Sequence, residues 1–470
     1  MAVQEWEIMD FSAGLIDRVD DNLLPDNAAK DCQNFISRKV GSMKPRPGQA
    51  RLNTAALPGP VQGLHAYYYG DFFGENRKLV VAAGGVVAYW DPDTQSFVNL
   101  KTGLDVGALT CFETCANYMV AFNGVNAPWK YDGADVSTLA GAPEDGQFCV
   151  LHKEKLFTVP TSEPSTLRWS NSFAPETWEA VNYWDIRKGD GDKITCLRSH
   201  LGELVIFKRR SLSVLRGTSL DDFRLDEVDA RVGCTGPFAA AADGPYLYFV
   251  SDEGICVFNG ARVVNLSREF IPNLWSTINT EQLHKAAVTV WDGLVWFALP
   301  EGSSLHNNLV IAYIPPADGA AGGKFWPWRG IKASCFQAYN NGERLLLYSG
   351  DAVSGNVNQQ DVGTDDFGNP IEAYWVGKTF AIGEADKKNR FLRAFIQDSP
   401  GANDVDLQVT IDYGQFASLV PDGGDELVRR YNFYSTYNGR YLQPKLMYSG
   451  LGGCEVRGLK VLYKPFGRAS

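Results

Sequence analysis

Little in this chain points to catalysis, and little to a membrane. Five histidines, His65, His152, His200, His284 and His306, are scattered without an HExxH or other metal-ligand spacing. No GxSxG elbow of a serine hydrolase is present, nor any S-x-D-x-G-x-T-W box of the sialidase-type propellers. Gly377-Lys378-Thr379 ends like a phosphate loop, but Glu372 stands where its first glycine belongs and strand-like Phe380 follows it. No segment approaches the ~20 apolar residues that span a bilayer. Met1 to Asp10 carries Glu5, Glu7 and Asp10, unlike a signal peptide. These absences lead us to expect no enzyme activity, no cofactor, no bound metal, no membrane insertion and synthesis in a cytoplasm. Acid–base carboxylate pairs drawn from distant parts of the chain stay open.

Other scarcities narrow the class. Nine cysteines, an odd number without a CxxC pair, read as mostly reduced core residues. Positive charge is in deficit, with 44 Lys and Arg against 55 Asp and Glu, for a net charge of −11. That balance argues against a general DNA-binding surface. It leaves room for DNA passing nearby, because a channel in which DNA slides should not hold phosphates by counterion release. Helical periodicity is almost absent. Leu24-Pro25-Asp26-Asn27 is expected to open one short helix over Ala28 to Cys32, and Thr280 to cap a turn or two ending at Lys285.

What the chain has is glycine, aromatics and short β-rich runs. Glycine is 47 of 470 residues, 45% of the residues are hydrophobic and 12% aromatic, enough to bury a large core around many tight turns. The stretch Leu167 to Gly217 shows the pattern. Leu167-Arg168-Trp169, Ile194-Thr195-Cys196-Leu197, Leu204-Val205-Ile206-Phe207 and Leu212 to Leu215 are short strands. Gly189-Asp190-Gly191-Asp192 and Gly202-Glu203 turn the chain between them. Trp169 and Trp178 bracket a polar loop containing Pro175.

Strand sets recur from near Leu64, Leu109, Cys149, Ile194, Phe238, Ala287 and Ser334, every 40 to 49 residues. A fixed period of that size in an all-β chain is the signature of a β-propeller with one blade per repeat. Seven blades are expected, with six or eight also fitting the spacing; a pair of β-sandwiches is the competing reading. From about residue 373 longer strands with period-two alternation take over, and predict a C-terminal antiparallel β-sandwich. The expected organisation is therefore an N-terminal segment, 1–62, that packs on the ring or a neighbour, a propeller over 63–372, and a sandwich over 373–470. The boundary falls in the loop from Asp361 to Pro370.

Two basic groups stand out as candidate partner contacts: Arg38, Lys39, Lys44 and Arg46, with Arg51 nearby, and Lys208, Arg209 and Arg210. A solvated face is the plainer reading of either. Asp190 with Asp192, or Asp361, Asp365 and Asp366, could hold Ca²⁺ but lack the ligand set of a calcium loop and read as turns.

Several motifs resemble a known family. Phe11, Gly14, Leu15, Leu24, Pro25, Ala29, Asn34, Gly41, Arg46, Pro47 and Gly48 match F-x-x-G-L…L-P-x-x-x-A-x-x-x-x-N…G-x-x-x-x-R-P-G. Trp169-Ser170-Asn171…Pro175…Trp178, Lys188-Gly189-Asp190-Gly191-Asp192…Ile194, Phe207-Lys208…Gly217, Phe380…Gly383…Lys388…Arg390 and Gly458-Leu459…Tyr463 resemble further stretches of the same group. The pattern resembles the packaged-DNA stabilisation and tail nozzle (tail tubular protein B) proteins of short-tailed bacteriophages, the compact stabilisation type fitting better. The resemblance implies a structural virion protein. It would form a homo-hexameric ring below the portal and adaptor, meet fibre, tailspike or tail-tip proteins, and pass DNA through its lumen without specific binding. The alternative class is a phage tail propeller enzyme or glycan-binding protein. Clustered carboxylates and exposed aromatics in one groove would favour it.

Overall fold

A computed structural model describes residues 2–70, 76–316, 322–384, 387–398, 405–424, 427–434 and 437–468. Strands make up 53% of the chain and helices 2%, which leaves no room for a parallel α/β core. Six four-stranded antiparallel sheets follow one another in strict chain order. They span Val61–Lys101, Cys111–Thr138, Gly146–Asp185, Ile194–Asp229, Ala240–Asn265 and Ala287–Arg329. A seventh set, Ala333–Asn340, Leu345–Asp351 and Val357–Gln360, takes its fourth strand from the other end of the chain. Gln49–Arg51 pairs antiparallel with it, Ala50 opposite Gln359.

Each sheet grades from buried to exposed. The second strands are apolar on both faces: Leu294–Leu299 is buried throughout, and Lys155–Pro160 and Tyr246–Ser251 are buried after their first residue. Both faces of such a strand meet a neighbouring sheet, so the run reads as continuously apolar rather than alternating. The fourth strands are mostly open and polar, as in Arg224–Asp229 and Tyr183–Asp185. The first strands contact one another in sequence from sheet one to sheet seven, and the seventh contacts the first. The sheets therefore form a closed circuit.

One fourth strand departs from the rule. Lys324–Arg329 (KFWPWR) is buried at its four central positions because the N-terminal segment covers it. Trp328 Nε1 donates to Phe35 O (3.1 Å), and Asn34 N donates to Pro327 O (2.9 Å). This covering replaces the helix expected over Ala28 to Cys32. Ala28–Ala29 pairs in parallel with Gly14–Leu15, and Asp31–Gln33 pairs antiparallel with Tyr374–Val376. Long-range strand pairing satisfies backbone groups that a five-residue helix would leave open at both ends. At the other expected helix, Thr280–Lys285 is a 3-10 turn preceded by Asn279, without a side-chain cap. A short α-helix, Pro272–Ser276, precedes it, with Pro272 in its first turn where a missing N–H costs nothing.

The C-terminal strands form two further antiparallel groups. One contains Gln4–Ile8, Gly458–Arg468, Lys387–Gln397, Val428–Asn432 and Pro421–Gly424. The other joins Asn369–Val376, Tyr441–Gly450 and Val405–Ile411. Trp375, Phe391, Ile396, Leu407, Leu446 and Val461 from both groups enter one buried cluster. Hydrogen bonding continues from the seventh sheet through Gln49–Arg51 and Asp365–Asp366 into Asn369–Val376, across the expected boundary.

Candidate functional site

The first basic group lines a groove of about 600 Å³ between the N-terminal segment, the loop after the seventh sheet, and the loop 452–455. Arg38, Lys39, Lys44 and Arg46 share its wall with Asp361 and Glu455. These cations differ in availability. Arg46 is 2% exposed: its guanidinium forks onto the Asp366 carboxylate and also donates to Asn34 Oδ1 (3.2 Å) and Arg329 O (2.9 Å). Arg38 pairs with Asp292, and Lys44 lies 3.4 Å from Glu455. Lys39 is exposed, with no ion pair among the described residues. Arg46 is thus an internal clamp rather than a partner contact, because its donors are consumed inside the protein.

Beside this clamp the chain passes itself closely. A Cβ on Gly48 would lie 2.0 Å from Asp365 O, so only glycine fits between Pro47 and the closing strand. Asn34, at φ 58°, accepts from Arg46 and from Arg329 N (2.7 Å) and donates to Glu372 O (2.8 Å). Asn34, Arg46 and Gly48 of the resemblance motif therefore lie together as one brace at the circuit's closure.

The second basic group meets the Gly189-Asp190-Gly191-Asp192 turn at a groove of about 370 Å³ lined by Arg187, Asp190, Asp192, Arg209 and Arg210. Lys208 lies beneath it, its side chain 1% exposed. Its ammonium donates to Asp190 Oδ1 (2.8 Å), Arg187 O (3.1 Å), Asp192 O (3.2 Å) and Ser165 Oγ (3.2 Å). Lys208 therefore also departs from the expected surface role. The Lys208 contact and other hydrogen bonds hold the Asp190 carboxyl below the ordinary carboxylate range, against burial that pushes the other way. Arg209 forks onto Asp252 (2.6 Å). Arg210 is exposed, and its guanidinium has no partner among the described residues. Lys39 and Arg210 are thus the expected contacts that remain unpaired.

A third groove, about 300 Å³, was not anticipated from the sequence. It is lined by Asp145, Glu163 and Glu179 from three separate connections, together with Arg168, Trp178 and Asn182. Trp178 was singled out in the sequence; the carboxylates were not, because nothing in chain order relates them.

Among the described residues, no three His, Cys, Asp or Glu side chains are placed to hold a metal ion. Asp361 accepts from Trp291 Nε1 (2.8 Å) and Asp366 from Arg46, so two members of the second aspartate group serve as acceptors for other side chains. All nine cysteines are free thiols, eight of them buried. No helix among the described residues is long and apolar enough to cross a membrane. No protein-family model matches the chain, and no curated protein matches it significantly.

Proposed function

We propose that the seven sheets are the blades of a seven-bladed β-propeller closed by Gln49–Arg51, with a β-sandwich after it, and that the protein is a ring-forming structural component of a short phage tail. The circuit of first strands supports the propeller, since sheets that neighbour one another in order and return to the first need a common axis. The observation that carries the tail reading is the use of the motif residues. Asn34, Arg46 and Gly48 brace the closure, Lys208 clamps Gly189 to Asp192, and Trp178 Nε1 donates to Pro175 O (2.7 Å). Side chains that would carry recognition or chemistry elsewhere are spent here on stiffness, which suits a scaffold.

In this reading, copies form a homo-hexameric ring beneath an adaptor, DNA passes through the lumen, and Lys39 and Arg210 face neighbouring proteins. The chain's net charge of −11 permits a wall that repels phosphate mildly and lets the strand slide. The test is DNA binding by the purified protein at about 0.15 M salt, where screening reaches about 8 Å. Affinity no tighter than the ~10⁻⁴–10⁻⁶ M of non-specific binders is expected; tighter, sequence-independent binding would overturn the proposal of a non-gripping lumen.

A further inference from the structure

We infer that Cys111 and Cys149 are a redox-active pair, in which a peroxide oxidises Cys111 and Cys149 resolves it into a disulfide that staples the second sheet to the third. The inference stands on this contact alone and does not need the tail reading.

The two cysteines meet across neighbouring first strands. Cys111 opens Cys111–Cys115, and Cys149 lies in Gly146–His152. Cys111 Sγ lies 3.5 Å from Cys149 O, and Cys149 Sγ 3.8 Å from Cys111 O. These reciprocal contacts put each sulfur beside the other's backbone, and the two thiols also hydrogen-bond each other. Two residues further along, Glu113 Oε2 accepts from Leu151 N (3.2 Å), so the strands run side by side. The fold thus holds two free thiols together.

The partners differ in reactivity. Cys111 is the one cysteine of nine that is not buried. The Cys149 thiol holds the Cys111 sulfur below the ordinary thiol range, against burial that pushes it up; Arg198 adds to the lowering and Glu113 opposes it. The Arg198 guanidinium donates to the carbonyls of Leu197, Pro237 and Ala240 and has no ion pair among the described residues, so its charge stays uncompensated beside the thiols. Cys149 is 4% exposed, and burial raises its thiol well above the ordinary range. A partly exposed, acid-shifted thiol beside a second thiol is the arrangement of an attacking and a resolving cysteine.

The chemistry balances with a peroxide as oxidant. The Cys111 thiolate attacks one oxygen of hydrogen peroxide, the O–O bond breaks, and hydroxide leaves, giving a sulfenic acid. The Cys149 sulfur then attacks the Cys111 sulfur. The S–S bond forms, the S–O bond breaks, and water leaves with the Cys149 proton. In sum, two thiols and one peroxide give one disulfide and two waters; the sulfurs lose two electrons and the peroxide gains them. Such a staple would set when the protein passes from a reducing to an oxidising compartment.

The structure holds an internal control. Cys196 and Cys234 also hydrogen-bond each other, but both are 0% exposed. The experiment treats the reduced, folded chain with hydrogen peroxide, blocks remaining thiols in denaturant and maps the peptides by mass spectrometry without reduction. The thiol count should fall by two from nine, with a Cys111–Cys149 link that dithiothreitol reverses. That link should form about tenfold or more faster than one between Cys196 and Cys234. In Cys149→Ser the reaction should stop at a sulfenic acid on Cys111, which dimedone labels. Absence of the Cys111–Cys149 link in the natural chain would overturn the inference, and that readout needs no variant to fold. So would a link from Cys149 to Cys115 in its place, equal rates for the two pairs, or no dimedone adduct on Cys111 in a folded Cys149→Ser.

Discussion

The buried ammonium of Lys208 pairs with the exposed carboxylate of Asp190, Nζ to Oδ1 2.8 Å, and the lysine takes the place a bound cation would hold in an aspartate-rich turn. Two backbone carbonyls and a serine hydroxyl complete the cage. The turn from Gly189 to Asp192 is therefore ordered by the chain's own ammonium.

Lys208→Met should destabilise the protein by about 1.5–3 kcal/mol in urea unfolding, the range for losing hydrogen bonds to a charged group, because exposed Asp190 regains water once the ammonium is gone. The melting temperature of the natural chain should not move on adding EDTA. A chelator-dependent fall would show that a metal, not Lys208, organises the turn.

The closure should be similarly sensitive. Arg46→Lys keeps the charge but loses the fork onto Asp366, and should cost about 2–4 kcal/mol. Gly48→Ala places a methyl 2.0 Å from a backbone oxygen, so the strand Gln49–Arg51 must shift. Limited proteolysis should then cut both variants near residues 46–51 or 361–368 faster than the natural chain. Equal cutting rates would mean that the seventh sheet does not depend on this contact.

Burial pushes His65 and His152 down to about 4 from 6.5, and each accepts or shares a hydrogen bond, with Thr114 Oγ1 and Ser199 Oγ, both at 2.8 Å. The folded state resists protonation that the unfolded chain accepts. The unfolded state therefore binds more protons across this window, and stability rises with pH there. Their contribution is complete above pH about 6.5 and is lost as pH falls toward about 4. A His65→Asn, His152→Asn double variant should show a flatter melting profile over that range; an unchanged profile would assign the acid sensitivity to other groups.

Lys39→Glu and Arg210→Glu should leave the monomer's melting temperature within about 0.5 kcal/mol equivalent of the natural chain, since exposed charges without ion pairs contribute little. If these residues face neighbours, native mass spectrometry should show the assembled species lost or reduced. Assembly unchanged in the double variant would remove them as contacts.

Much of the fold is legible in the sequence because it is local. Runs expected near Leu64, Leu109, Cys149, Ile194, Phe238, Ala287 and Ser334 lie within three residues of first strands that begin at Val61, Cys111, Gly146, Ile194, Ala240, Ala287 and Ala333. Continuous apolar second strands such as Leu294 to Leu299 mark burial on both faces. Pairings across hundreds of residues leave no such trace. Ala28 to Cys32 reads as a helix until its partners Gly14–Leu15 and Tyr374–Val376 are in place, and nothing near Gln49–Arg51 marks Val357–Gln360 as its partner. Charge runs were equally opaque: Arg46 and Lys208 look like surface cations in sequence, and only the fold shows which carboxylate each one meets. The three carboxylates of the groove beside Trp178 come together from separate connections, which nothing in chain order signals.

The most direct test of the whole reading is single-particle electron microscopy of the purified, assembled protein. It should show a six-fold ring with an open axial channel, each subunit a seven-bladed propeller whose last blade is closed by residues 49–51, and a lumen not lined by arginine and lysine. A monomer without a ring under all assembly conditions, or a ring whose lumen is walled by basic side chains, would contradict it.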